Sequence, residues 1–347
     1  MTPIIPTVPV AVWKNLCAAA ETFRSRKPWE VLDDLDLIAV RDSSTGEVGY
    51  GAVMGNAGTL FGFCLYRGLD GFHMYRWLTE GEIDPEEEDL FALQDCLKLE
   101  FVSRGELKRE DQRVISQLGL ALKGKKPFPQ FRSLIPEYAP WFLTEAEAKF
   151  LTLGLYACIH HLERIENKEV NESFLESECL VYTSANDAGT KFQAQWEPSP
   201  VPPSEAVAQL ILNLPRITAL REKKLKPDTP WEADMFYLPS PILDRERPYY
   251  MHLAIICHQS TGIAFATDVL SPPQQPAQAL ADVICSVIEK HDMMPETIFV
   301  KNKEIAAALQ PLSNALGFTI RSQKNLRTIT MLKNELYEQL KHGRLGR

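Results

Sequence analysis

Between residues 123 and 142 the sequence reads KGKKPFPQFRSLIPEYAPWF, which sets Lys123, Lys125, Lys126 and Arg132 among aromatic rings and prolines. That mixture can grip a nucleic-acid strand, because the cations track phosphates while the rings stack on bases. More often such a mixture makes an irregular loop pinned by its aromatics, and a loop is the expectation here. His258 offers a different chemistry. It stands at the turn-proximal end of an expected strand, where an imidazole can serve as a general base or simply end the strand as a polar group. Asp268 alternates with Ala264 and Ala266 on the return strand, so it is expected to face outward near a sheet edge. His160 and His161 form the tightest histidine pair, but they fall inside a helical pattern without a cysteine pair, which favours a structural role over zinc. Glu86 to Glu88 follow Asp84 and Pro85, and this order starts a helix before it makes a metal site. No Walker, dinucleotide-binding or nucleophile-elbow pattern occurs. The glycines of GYGAVMGNAG lie within and between strands and are expected to allow bulges and tight turns.

The chain that must position these groups has 347 residues, 45% of them hydrophobic and 24% charged. That is long for one core and ordinary for a globular protein, so two domains are expected. No apolar run is long enough to span a membrane, and the first residues lack the basic start of a secretion signal. The seven cysteines are scattered, mostly among apolar residues and without a C-x-x-C pair. This is the pattern of reduced, buried thiols and suggests a cytoplasmic protein. The net charge of -9 is uneven: residues 203–347 carry 17 Lys+Arg against 15 Asp+Glu, and the remainder 20 against 31. An acidic first part does not suit wrapping by nucleic acid, whereas the second part permits contact.

Four prolines within WEPSPVPPSEA mark a linker, which gives an acidic α+β domain over 1–197, a Pro-rich linker over 198–206 and a second domain over 207–347. In the first domain we expect a helix from about Val10 to Phe23, a meander of strands near 36–41, 47–54 and 59–66, and a helix capped by Thr144 and Glu147. The second domain reads β-β-β-α-β-α-β-α, with strands near 233–238, 250–258, 262–270, 297–301 and 317–321, and helices near 276–291, 303–315 and 328–341. Leu253 to Cys257 is apolar throughout, as befits a strand covered on both faces. A mixed sheet flanked by helices accommodates that order. Three stretches, RDSSTGEVG, SANDAGTK and HQSTGIAF, share a strand–turn–strand form with glycine late in the turn, which is one turn device used three times.

The stretches WEADMFYLP, YYMHLAIICHQSTGIAFATDVL and ALADVICSVIEKHDMMPETIFVKNKEIAAAL resemble, in order and pattern, the ribonuclease H-like fold of retroviral-type integrases and transposases, over about residues 230–341. That resemblance implies an α/β mixed sheet and a centre of two divalent metal ions, magnesium or manganese, held by three carboxylates. Carried onto this sequence, the first acid falls on Asp234 and the third on Glu335, while the second falls on Lys301 or Asn302. An ammonium where a carboxylate should bridge two cations raises the electrostatic cost, so the site is expected to be degenerate. The whole chain also resembles a family of uncharacterised bacterial proteins made of domains of unknown function. This second likeness is carried by KPWEVLDDLDLIAVRDSSTGEVGYGAVMGNAGTLFGFCLYRGLDGF and WEADMFYLPSPI.

Two functions follow as expectations. One is a non-catalytic binding or adaptor protein without a cofactor, reaching a protein or nucleic-acid partner through the second domain. The other is a divergent metal-dependent nuclease or transferase using Asp234, Glu335 and Asn302. A further idea gives the acidic first domain a basic protein partner through Asp33, Asp34, Asp36 and Glu86 to Glu88.

Overall fold

The computed structural model describes residues 5–33, 35–81, 92–119, 127–175, 177–186, 189–201, 210–227, 229–243, 246–270 and 275–341. They form two units, Met1–Pro202 with Asp244–Arg247, and Pro203–Leu243 with Pro248–Arg347. The expected helix at Glu86 to Glu88, the cations Lys123, Lys125 and Lys126, and most of the Pro-rich linker lie outside the described residues.

The first unit is α+β. It opens with α1 (Val10–Arg26), followed by β1 (Ile38–Arg41), β2 (Val48–Met54), β3 (Gly62–Arg67) and α2 (Gly68–Thr79). Next come β4 (Cys96–Val102), α3 (Arg109–Gln117), β5 (Phe128–Leu134), α4 (Glu145–Glu166), β6 (Glu178–Ser184) and β7 (Phe192–Pro198). The expected meander is the centre of a larger sheet with the order β5-β4-β3-β2-β1-β6-β7. Only β1 and β6 run parallel among these pairs. Residues 128–134 were expected in a loop but form edge strand β5, because Phe131 packs inward and the ladder with β4 outweighs the effect of Pro129.

β3 is buried on both faces, and its alternation serves two cores. Phe63 and Leu65 meet α1 and α4 through Phe23, Leu151 and Leu155, while Cys64 and Tyr66 join Phe72 and Tyr75 of α2. A Cβ added at Gly51 would lie 2.3 Å from the Phe63 ring, and one at Gly49 2.8 Å from Leu65 and 2.9 Å from Phe150. These two glycines therefore clear space for neighbouring side chains and do not form a bulge. Helix α4 starts as expected: Thr144 Oγ1 accepts the Glu147 amide at 3.3 Å, and Glu147 Oε2 accepts the Thr144 amide at 2.8 Å.

The second unit contains α5 (Leu214–Glu222), β8 (Trp231–Tyr237), β9 (His252–His258), β10 (Ala264–Leu270) and α6 (Pro276–His291). It continues with β11 (Thr297–Val300), α7 (Lys303–Ala308), α8 (Gln310–Leu316), β12 (Thr319–Ser322) and α9 (Arg327–Lys341). The sheet order is β10-β9-β8-β11-β12, with β9 antiparallel to both neighbours and β8, β11 and β12 parallel. The single helix expected over 303–315 is two, because Pro311 supplies no amide to continue the first. A register shift between Ala264 and Ala266 breaks the alternation expected to lead to Asp268, which is exposed on edge strand β10. One sheet face packs on α5, α6 and α8 through Trp231, Ala233, Ile256 and Ile284. The other packs on α9 through Phe236, Ile255, Leu326 and Ile329.

Each unit buries a histidine whose pKa is lowered from 6.5 to about 4: His161 by burial and then the nearby Arg164 charge, and His252 by burial. His161 Nδ1 lies 2.7 Å from the Tyr182 hydroxyl, and the His252 ring lies 4.2 Å from that of Tyr237. The unfolded chain binds protons first, so the stability these neutral rings support is complete above pH 6.5 and is lost as pH falls toward about 4. Each histidine should cost about 2–3 kcal/mol over that window. Urea midpoints should therefore drop between pH 7 and pH 4.5, and less steeply in His161→Gln; midpoints flat across the window would contradict this.

Candidate functional site

The loop that presents His258 is built twice in the chain. In the hairpin of β1 and β2, Asp42 Oδ1 accepts the Ser44 amide at 2.8 Å, Asp42 O accepts the Gly46 amide at 2.7 Å, and Thr45 Oγ1 accepts the Glu47 amide at 3.2 Å. In the hairpin of β9 and β10, His258 Nδ1 accepts the Ser260 and Thr261 amides at 3.3 and 3.2 Å, His258 O accepts the Gly262 amide at 2.9 Å, and Thr261 Oγ1 accepts the Ile263 amide at 3.4 Å. Gly46 and Gly262 take φ of 79° and 72°, which a Cβ disfavours. With Nδ1 accepting, Nε2 carries the proton toward Thr229 Oγ1, 2.5 Å away. His258 does for its turn what Asp42 does for the other, and both ring nitrogens are engaged. The third turn reaches the same end differently: Gly189 has φ 67°, and Asn186 Oδ1 accepts the Thr190 and Lys191 amides at 3.0 and 3.2 Å.

The seam between β8 and α9 is where the expected carboxylates would have to meet. Alternation along β8 puts Glu232, Asp234 and Phe236 on the face that α9 covers. Glu232, only 1% exposed, is the residue that sequence reasoning missed. Its Oε2 accepts the amides of Thr328 and Ile329 at 2.9 and 3.0 Å, so a buried charge meets the positive end of α9. Cys257, opposite it on β9, is pushed up to about 12 by burial and by the Glu232 charge. Asp234 is half-buried, and its Oδ1 accepts the Met235 amide at 2.9 Å.

From α9, Lys333 places its ammonium 5.1 Å from the Phe236 ring centre and 5.3 Å from that of Tyr337. The Tyr337 hydroxyl donates to the Tyr237 carbonyl on the same sheet. Residues two apart on a helix point about 200° away from each other. Glu335 lies two residues from both Lys333 and Tyr337, and it is exposed on the far side of α9. The structure does not bring Asp234 and Glu335 together. Asn302 Oδ1 accepts the Glu304 and Ile305 amides at 2.7 and 3.1 Å and so caps α7. Lys301, half-buried, follows directly on β11.

These donors do not fit two divalent ions. A resident ammonium lies in the seam, one carboxylate is committed to helix amides and another faces outward. Among the described residues no three His, Cys, Asp or Glu side chains are placed to share a cation.

Arg132 is 7% exposed, which corrects its expected place in a basic surface patch. Its guanidinium grips both oxygens of Asp111 at 2.8 and 2.6 Å, donates to Phe131 O at 2.6 Å and lies 4.9 Å from the Phe142 ring centre. The available signal in FPQFRSL was the alternation that sets Arg132 on one face with the apolar Phe128 and Leu134, opposite Phe131 and Ser133. Asp33 and Asp36 close a local turn through the Leu35 and Asp33 amides. None of the seven cysteines is paired, and among the described residues no helix is long and apolar enough to cross a membrane.

Residues 13–182 match the family model described as Domain of unknown function (DUF7309), and residues 216–337 match Domain of unknown function (DUF6930). No curated protein matches the chain. Among solved structures, the catalytic core domain of BIV integrase is similar at 14% identity over 33% of this chain and 66% of that one, with a TM-score of 0.24. The Mos1 strand transfer complex is similar at 10% identity over 42% of this chain and 57% of that one, also with a TM-score of 0.24. Each match spans less than two thirds of the solved chain.

Glu232→Ala should destabilise the protein by about 3 kcal/mol, because it strands two buried amides, while Glu232→Gln keeps an acceptor and should cost about half as much. Equal urea midpoints for both variants and the parent would refute the capping role. At the turn, His258→Asp should stay within about 0.5 kcal/mol of the parent, and His258→Ala should lose about 1 kcal/mol. A His258→Asp variant as weak as His258→Ala would show that the two loops are not equivalent.

Proposed function

We propose that this protein is a non-catalytic binding or adaptor protein whose second unit keeps a ribonuclease H-like scaffold without a metal centre. What supports the scaffold is the strand order, with three antiparallel strands followed by two parallel ones on the far side of the first. What carries the absence of catalysis is the seam of β8 and α9. Glu232 is bound to the start of α9, Lys333 lies over Phe236, and Glu335 turns away from the sheet. A two-metal reaction needs carboxylates that converge, and here the chain uses that face to hold its last helix. The partner is a protein or nucleic acid reached through the second unit, whose near-balanced charge permits either.

The test is direct. Full-length protein incubated with single- and double-stranded DNA and RNA should show no cleavage or joining in magnesium or manganese. Neither ion should raise its melting temperature beyond the shift that a matched concentration of calcium gives. Manganese-dependent cleavage that disappears in Asp234→Ala would replace this reading with that of a divergent nuclease.

A further inference from the structure

The sheet of the first unit has two edges, and they are treated differently. At β5 the Ser133 amide and carbonyl are both bonded to Trp141, at 2.9 and 3.0 Å, so a second segment covers that edge. At β7 no described residue does the same. Bonds from the Ala185 amide to Lys191 O at 2.7 Å and from the Ser199 amide to Ser177 O at 2.9 Å bracket the ladder with β6. Antiparallel partners alternate between bonded and non-bonded pairs, so the odd-numbered residues of β7 face β6. Phe192, Ala194 and Trp196 therefore aim their amides and carbonyls outward. Gln193 to Trp196 are all exposed, Trp196 by 40%.

Edge strands are normally blunted by a lysine, a proline or a bulge. Between Phe192 and Trp196 this strand has none of them, and its flanks are arranged symmetrically. Read from Lys191, the sequence is K-F-Q-A-Q-W-E. If a second copy pairs antiparallel with Ala194 on the two-fold axis, Lys191 faces Glu197, Phe192 faces Trp196 and Gln193 faces Gln195 of the other copy. Apart from the alanine pair on the axis, every rung is then charge-complementary, aromatic or amide to amide, which are the cross-strand pairs that favour a sheet. The outward backbone groups of Phe192, Ala194 and Trp196 are the ones this register bonds. Glu197 is already oriented by Arg41, which holds both its oxygens at 2.8 and 2.7 Å, and it can still accept from a lysine.

We propose that β7 is a self-association edge, through which two copies of this chain join their seven-stranded sheets across a two-fold axis at Ala194. The interface is small, so the dimer should be concentration-dependent.

Sedimentation of the full chain should show a monomer–dimer equilibrium. Gln193→Lys combined with Gln195→Lys sets lysine against lysine on the dyad-related rungs, and Lys191→Glu sets glutamate against Glu197. Both variants alter exposed side chains, so both should be monomeric with unchanged melting temperature. Residues in a bonded antiparallel pair have Cα atoms about 5.5 Å apart, within disulfide reach, so Ala194→Cys should form a covalent dimer on mild oxidation. Thr190→Cys, which faces Pro198 of the other copy in this register, should not. A parent protein that stays monomeric up to about 0.1 mM would overturn the proposal, leaving the edge to some other extended chain. So would a dimer that survives both charge variants, or an Ala194→Cys protein that crosslinks no faster than Thr190→Cys.

Discussion

A carboxylate buried at the centre of the second sheet fixes what the rest of that unit can be. Glu232 has almost no access to water, so its charge must be met from within the fold. The first amides of α9 meet it, and helix and strand are thereby locked in register. The remaining contacts of α9 follow from that anchor. Ile329, Leu332 and Leu336 fall on the sheet, Tyr337 reaches the Tyr237 carbonyl, and Lys333 settles over Phe236. Glu335 is left outside by the same helical geometry. The choice at position 232 thus settles where an acid at position 335 can point.

Both units apply one solution to the burial problem, a sheet covered on two faces with alternate residues feeding separate cores. In the first unit β3 divides its residues between the α1–α4 layer and the α2 layer, and small residues in β2 admit the larger side chains of β3. In the second, β8 sends Trp231 and Ala233 to one layer and Phe236 to the other. Among the described residues the buried charged side chains have partners, Arg132 in Asp111 and Glu232 in the first amides of α9.

Much of this was legible in the sequence. The helix begun by Thr144, the strand Leu253 to Cys257 and the order of elements after residue 230 follow from capping spacing, apolar runs and periodicity, which are local signals. β5 was not legible, because Pro129 and the surrounding aromatics resemble a loop until β4 is beside them. The break between α7 and α8 was visible in Pro311 but looked like the interior of one helix. Glu232 was hidden for a deeper reason. A glutamate two residues before Asp234 looks like any polar residue on a half-exposed strand, and only the tertiary approach of Thr328 and Ile329 shows that it is buried.

The two turns built on Ser-Thr-Gly show why residue type alone misleads about chemistry. An acceptor atom at the first position, a hydroxyl three residues on and a glycine at positive φ are the whole requirement of that loop. Asp42 meets the first condition with a carboxylate oxygen and His258 with a ring nitrogen. Seen alone, an imidazole at a strand end suggests a base waiting for a substrate. Seen beside its counterpart, it is a hydrogen-bond acceptor whose second nitrogen is tied to Thr229, and its basicity is directed at backbone amides. The same logic governs the seam of α9, where the Glu232 carboxylate, which could bind a cation, is instead matched to the positive end of a helix. In this chain His258, Asn302 and Glu232 are all used by the fold to satisfy its own backbone.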